Sequence, residues 1–172
     1  LGVDVPAHAL LTESVPTVPA ATVGTLLAER HLRVLPGTRL SPHELGDTGL
    51  VVVGADDLEN TAAIGATRID AFAFAEAHPS AQLTAPGDVV FRTAPTPRAW
   101  VEADGSTVVA YPARVLRIDS DDPGGLVPAL VAADIERSAG GAGSWRRWVL
   151  RRVPPHARAP LGTALADIAA QR

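Results

Sequence analysis

Apolar residues run along this chain in two rhythms. VGTLLAERHL places Val23, Leu26, Leu27 and Arg30 at helical spacing behind candidate caps at Thr22 and Thr25, which predicts a short helix. LVPALVAADIERS is the clearest helix, with Leu126, Leu130, Val131 and Ile135 on its apolar face. Strands are predicted where β-branched residues gather: LVVV at 50–53, ended by Gly54 and an acidic turn, VVF after the Pro86-Gly87-Asp88 turn, and ARVLRID at 113–119. Asp104-Gly105 between WVEA and TVVA predicts a hairpin. IGATRIDAFAFAEAHPSAQL is ambiguous, because Ile69, Phe72 and Phe74 suit a strand or loop while its alanines suit a helix.

The two ends read differently. Pro6, Pro16 and Pro19 make residues 1–21 a linker or N-terminal extension, with SVPTVPAAT a linker or a strand draped on a neighbour, and PLGTALADIAAQR predicts a short helix within 158–172. SAGGAGS at 138–144 reads as a loop, and WRRWVLRRVPP as a basic, extended segment. The order is mostly strands, then helix, strand and helix, which is a mixed α/β or α+β fold.

Length and composition narrow the possibilities. A chain of 172 residues is one domain with short appendages, and its 47% hydrophobic content supports an ordinary core. The absence of cysteine excludes thiolate metal sites, thiol nucleophiles and disulfides, and fits a cytoplasmic protein. No apolar run approaches the roughly 18 residues of a membrane span. Methionine is also absent, so the chain is expected to begin inside a longer polypeptide or to have been processed.

The net charge of −4 argues against a nucleic-acid binder until its distribution is considered. All fifteen Lys/Arg residues are arginine. Residues 1–90 hold four of them against eleven acids, whereas 91–172 hold eleven against eight. A basic C-terminal part is therefore attached to an acidic scaffold. Arginine's planar fork bonds phosphate and guanine bidentately, which lysine cannot do.

Catalytic signatures are missing. No phosphate-binding GxxxxGK or GxGxxG stands between a strand and a helix, and no GxSxG elbow or HExxH spacing occurs. GGAGS at 140–144 reads as a connector rather than an anion nest. The five histidines are scattered, and His43-Glu44 and Asp56-Asp57 read as solvated turn residues. The methyltransferase loops of NPPY or PC type are absent as well. By itself the chain is expected not to be an enzyme, to bind no metal and to hold no cofactor.

What remains is basic chemistry in two places. RTAPTPRAW, after the VVF strand, sets Arg92 and Arg98 among Thr93, Pro95, Thr96 and Pro97. Around the glycine loop, Arg146 and Arg147 interleave with Trp145 and Trp148, a pattern suited to stacking or groove contact. Arg114 and Arg117 are expected to join the first group. Alternation equally allows WRRWVLRR to be a structural strand, with Trp148 and Leu150 inward and Arg147 and Arg151 outward.

The order and spacing of four segments resemble the target-recognition domain of type I restriction-modification specificity subunits, or the equivalent C-terminal domain of a fused N6-adenine DNA methyltransferase. They are VGTLLAERHLRVLPGTRLS, LVVVGADDLEN, LTAPGDVVFRTAPTPRAWVEADG with its L-x-x-GD-hydrophobic hallmark, and LRIDSDDPGGLVPALVAADIERSAGGAGSWRRWVLRRVPP. Together they cover residues 22–157. The chain departs from the pattern in its proline-rich loop after the hallmark strand and in lacking the EQ pair after its closing prolines.

The resemblance implies a compact mixed or antiparallel curved sheet with flanking helices. It implies a non-catalytic module that reads double-stranded DNA and directs an adenine methyltransferase to its site. The partners are then duplex DNA, a methyltransferase domain or subunit and a restriction subunit, with no membrane. S-adenosylmethionine belongs to the methyltransferase partner. Arg92, Thr93, Thr96 and Arg98 are the expected DNA contacts of the first group, and Ser144, Arg146 and Arg147 those of the second. The competing expectation is a protein-docking domain of the same complex with little DNA contact of its own.

Overall fold

Four successive residues of the hallmark strand, Val89 to Arg92, are all buried, although neighbours on a strand face opposite ways. A strand without a solvent face needs a layer on each side, and the rest of the chain supplies both. The computed structural model describes residues 19–140 and 145–157, with 160, 161 and 164. The described residues begin with β1 (Ala20–Thr22), α1 (Val23–Ala28), β2 (Leu32–Pro36), β3 (Leu45–Gly46), β4 (Leu50–Val53), β5 (Arg68–Ile69) and α2 (Ala71–Ala77). They continue with β6 (Val89–Arg92), β7 (Arg98–Val101), β8 (Val108–Val109), β9 (Arg114–Ile118), α3 (Pro128–Glu136) and β10 (Val149–Arg151).

The central sheet is antiparallel in the order β2-β9-β6-β7. A second sheet, β3-β5-β4-β8, contains one parallel pair between β4 and β8. β1 and β10 form a separate ribbon. This is the mixed α+β architecture expected from the pattern. Val89, Phe91 and Leu116 point to one face of the central sheet, where Leu26, Val131, Ile135, Trp145, Trp148 and Leu150 pack on them. Val90 and Val115 point to the other, against Val53, Leu58 and Val109 of the second sheet's side. Beyond that sheet, Val52, Ile69 and Val108 meet Phe74 of α2.

Local chemistry explains the helices. The Thr22 hydroxyl accepts from Thr25 N–H at 3.1 Å and caps α1, and Asp70 accepts from Phe72 and Ala73 N–H and caps α2. That cap makes Ala71–Ala77 of the ambiguous segment a helix, after the short strand β5 at Arg68–Ile69, with Phe74 buried and Phe72 89% exposed. Pro128 opens α3 at its first turn, where a missing N–H costs nothing.

The structure corrects several expectations. Asp104-Gly105 does form a turn, with Gly105 at φ +83°, but it closes no hairpin. β7 pairs back with β6, while β8 crosses to run parallel with β4. Thr84 decides this, since its hydroxyl and carbonyl bind Glu102, Thr107 and Ser106 and hold the turn against another loop. The hairpin lies instead across RTAPTPRAW, with Arg92 opposite Arg98. Ala20 and Ala21, in the stretch read as a linker or a strand draped on a neighbour, belong to β1, the second of these. WRRWVLRRVPP is a single 3-10 turn at Trp145–Arg147 followed by the short β10, rather than one extended segment. Most of the helix expected at 158–172 lies outside the described residues.

Close backbone approach demands glycine at position 49. Its φ is +98°, and an added Cβ would fall 2.2 Å from the Ile69 carbonyl oxygen. Gly49→Ala is expected to lower the thermal midpoint by roughly 4–8 °C, from about 2 kcal/mol of strain, as measured by a circular-dichroism melt.

Candidate nucleic-acid interface

The C-terminal end of β6, the N-terminal ends of β7 and β9 and the Trp145–Arg147 turn meet at one end of the central sheet. Register makes this so. Phe91 pairs with both Ala99 and Arg114, and Arg92 with Arg98, so three arginines from separate strands share that end. Phe91 also carries the aromatic contacts that seat the turn, at 6.3 Å from Trp145 and 5.8 Å from Trp148 between ring centroids. The Trp148 indole N–H donates to the Ala139 carbonyl at 3.0 Å, which ties the turn to the end of α3.

The turn has the period of its residues. Trp145 and Trp148, three apart, are buried, and Arg146 and Arg147 between them are exposed. The guanidinium carbons of Arg146 and Arg114 lie 4.8 Å and 5.7 Å from the Trp145 ring centroid, a cation–π arrangement on one indole. Arg147 lines a neighbouring cleft with Asp134, Arg137 and Trp148. Among the described residues, the side chains of Arg114, Arg146 and Arg147 have neither a hydrogen-bond partner nor a carboxylate within 4.0 Å.

The two expected groups adjoin. Gly140, at the start of the glycine segment, packs on the loop between β6 and β7: a Cβ there would stand 2.8 Å from the Pro95 carbonyl oxygen. In that loop Thr96 is exposed, Thr93 half-buried and Pro97 buried. Ser144 lies outside the described residues.

Arg92 is not the free cation expected of it. Its side chain is 7% exposed, and it donates to the Ala55 and Thr96 carbonyls at 3.0 and 3.2 Å and pairs with Glu59. The parity of β6 turns position 92 toward the layer that receives Val90, which is why it cannot reach outward. Arg98 is intermediate: it donates to the other Glu59 oxygen at 3.1 Å and to the Pro97 carbonyl, with a third of its side chain exposed.

Most other arginines are occupied within the fold. Arg117 lies at the far end of β9 from Arg114, against expectation, and binds Asp88 through Nε and Nη2 at 2.6–3.1 Å. That hydrogen bonding raises its pKa above the ordinary value despite its burial. Asp134, buried on α3, serves both Arg137 and Arg151. Arg152 donates to the Gly124 carbonyl and Arg68 to that of Gly49.

Sequence reading left Glu59 unassigned, since nothing local marks a residue that acts 33 and 39 positions away. Arg114 carried a usable signal, its place at the start of the ARVLRID strand. A cleft of about 870 Å³ lies at the opposite end of the central sheet between Arg30, Arg33, Gly87 and Ile118, with no histidine in its lining. Among the described residues no three His, Asp or Glu side chains gather as a metal site, and no helix is long and apolar enough to cross a membrane.

No known protein-family profile matches the sequence, and no curated protein matches it. Solved structures do match the fold. The HsdS subunit from Thermoanaerobacter tengcongensis superposes over 99% of this chain and 39% of its own length, with a TM-score of 0.55 and 13% identity. A structure addressing complex assembly and conformational transition of the type I R-M system superposes over 99% of this chain and 40% of that chain, with a TM-score of 0.57 and 14% identity. The chain thus spans about two fifths of each. At this identity the likeness concerns architecture, and the architecture is the target-recognition-domain fold that the four segments imply.

Proposed function

We propose that this chain is a sequence-specific double-stranded DNA recognition module that directs a restriction-modification N6-adenine methyltransferase to its target. The observation that carries the reading is the pair Arg114 and Arg146 on the Trp145 ring, with exposed Arg147 on the same turn, beside the exposed loop between β6 and β7 and with no carboxylate within 4.0 Å of the three side chains among the described residues. Cations left without internal partners, at one end of a sheet in an otherwise acidic chain, suit a polyanion. The fold neighbours are type I specificity proteins, which agrees with that use.

In this reading the three arginines neutralise phosphates and set the register on the duplex, while the loop side chains Thr93, Thr96 and Arg98 face base edges. Arg92 supports the loop from behind. Methyl transfer from S-adenosylmethionine, with extrusion of the adenine, falls to the methyltransferase partner. Duplex affinity measured against salt tests it: log K should fall with log[salt] at a slope of about −3 for three phosphate contacts. A flat response rejects DNA recognition and favours docking alone. That second reading has its own support in the acidic half of the chain and in the exposed Phe72 on α2.

A further inference from the structure

We propose that Arg98 is the side chain that reads a base edge, a guanine in the major groove, and that Glu59 is the positioning residue that holds it ready. The proposal rests on the DNA-recognition reading above and divides its residues into readers and anchors. A phosphate accepts a cation from many directions, so an arginine free to swing serves it well. A guanine edge accepts only a fork held at a set place and angle. Among the described residues, the guanidinium groups of Arg114, Arg146 and Arg147 have no hydrogen-bonded partner to fix the rotation of their forks.

Arg98 is held from two sides. Its Nη2 donates to Glu59 Oε1 at 3.1 Å and its Nη1 to the Pro97 carbonyl at 3.2 Å. Glu59 is itself fixed, because its Oε2 is bound by buried Arg92, which also donates to Ala55 and Thr96 carbonyls. Two of the five donors of a guanidinium are thus engaged, and the rest remain on a side chain that is one-third exposed.

The stability of the fold does not call for this second arginine. Arg92 and Arg98 stand directly opposite each other at the mouth of the hairpin, and like charges so placed oppose strand pairing. One arginine would satisfy Glu59. A second cation at the same carboxylate, one-third exposed and opposite a like charge, breaks a local rule, which is the mark of a functional position. The trio keeps one net positive charge, so Glu59 does not turn the rim negative.

The test is selection from a pool of randomised duplexes with the unchanged chain and with R98A, E59Q and R147A. The unchanged chain should enrich a motif containing a guanine. R98A should lose the preference for that one guanine, about 5- to 150-fold, and keep the other positions. E59Q should weaken the same preference in part, since the fork is present but no longer held. R147A should bind every duplex less well and select the same motif. An R98A motif as strong at every position as the original overturns the proposal and leaves DNA recognition standing. An E59Q motif identical to the original removes the positioning role of Glu59. Failure of the unchanged chain to retain any duplex overturns the proposal together with the reading beneath it.

Discussion

Asp88→Ala is expected to destabilise the domain by about 3 kcal/mol, the low end of the cost of breaking a buried ion pair by removing one partner. Asp88 is only 2% exposed. It accepts from the Ala85 N–H at 2.8 Å and from Arg117 through three contacts. Val89 pairs with Leu116, so Asp88 and Arg117 occupy the next position of the same register, and the ion pair pins β6 against β9. A one-residue slip would exchange the two faces of β6, sending Val90 toward the tryptophans and Phe91 toward the second sheet. Urea denaturation of the variant should show the loss as a lower midpoint at an unchanged slope. Arg117 also donates to the Leu83 carbonyl and is 19% exposed, so part of its charge can reach water and the cost stays below the deepest cases. A loss under about 1 kcal/mol would assign the pair no structural role. This is the physical content of the GD hallmark: Gly87, at φ +84°, makes the turn that sets Asp88 before the strand.

R146A/R147A is expected to weaken duplex binding roughly 50- to 100-fold near 0.1 M salt and to make the salt slope shallower by about two. Each arginine contributes one released counterion if it meets one phosphate, and the two losses multiply. Among the described residues neither side chain holds an internal partner other than the Trp145 ring against Arg146, so the fold should survive their removal. Fluorescence anisotropy with labelled duplexes across a salt series measures both quantities. R30A is the matched control: it removes an exposed cation at the opposite end of the central sheet and should leave the slope unchanged. Equal effects of the two changes would reduce the contribution of the rim to net charge alone.

How legible all this was depends on the distance over which each feature acts. Helix α1 with its Thr22 cap, the strand at Val89–Arg92 and the β9 strand were readable because each is decided within a few residues. Alternation placed Trp148 inward and Arg147 outward, while the three-residue spacing that buries Trp145 as well belongs to a turn that the alternation did not disclose. The false hairpin at Asp104-Gly105 shows the limit. The dipeptide did specify a turn, but the β7 and β8 segments on either side had better partners in different sheets. Arg92 shows the same limit: its neighbours in the chain do not disclose that the parity of its strand buries it beside Glu59.

By itself, the sequence determined the class of fold, the local elements, the excess of arginine in the second half and the absence of thiol chemistry. These follow from side-chain periodicity, capping and composition, all short-ranged or additive. Only the tertiary structure decided which arginines are spent and which are left. Glu59 reaches Arg92 and Arg98, Asp88 reaches Arg117 and Asp134 reaches Arg151 across 17 to 39 residues. Ion pairing depends on distance in space, and chain separation carries almost no information about it until the sheets have formed.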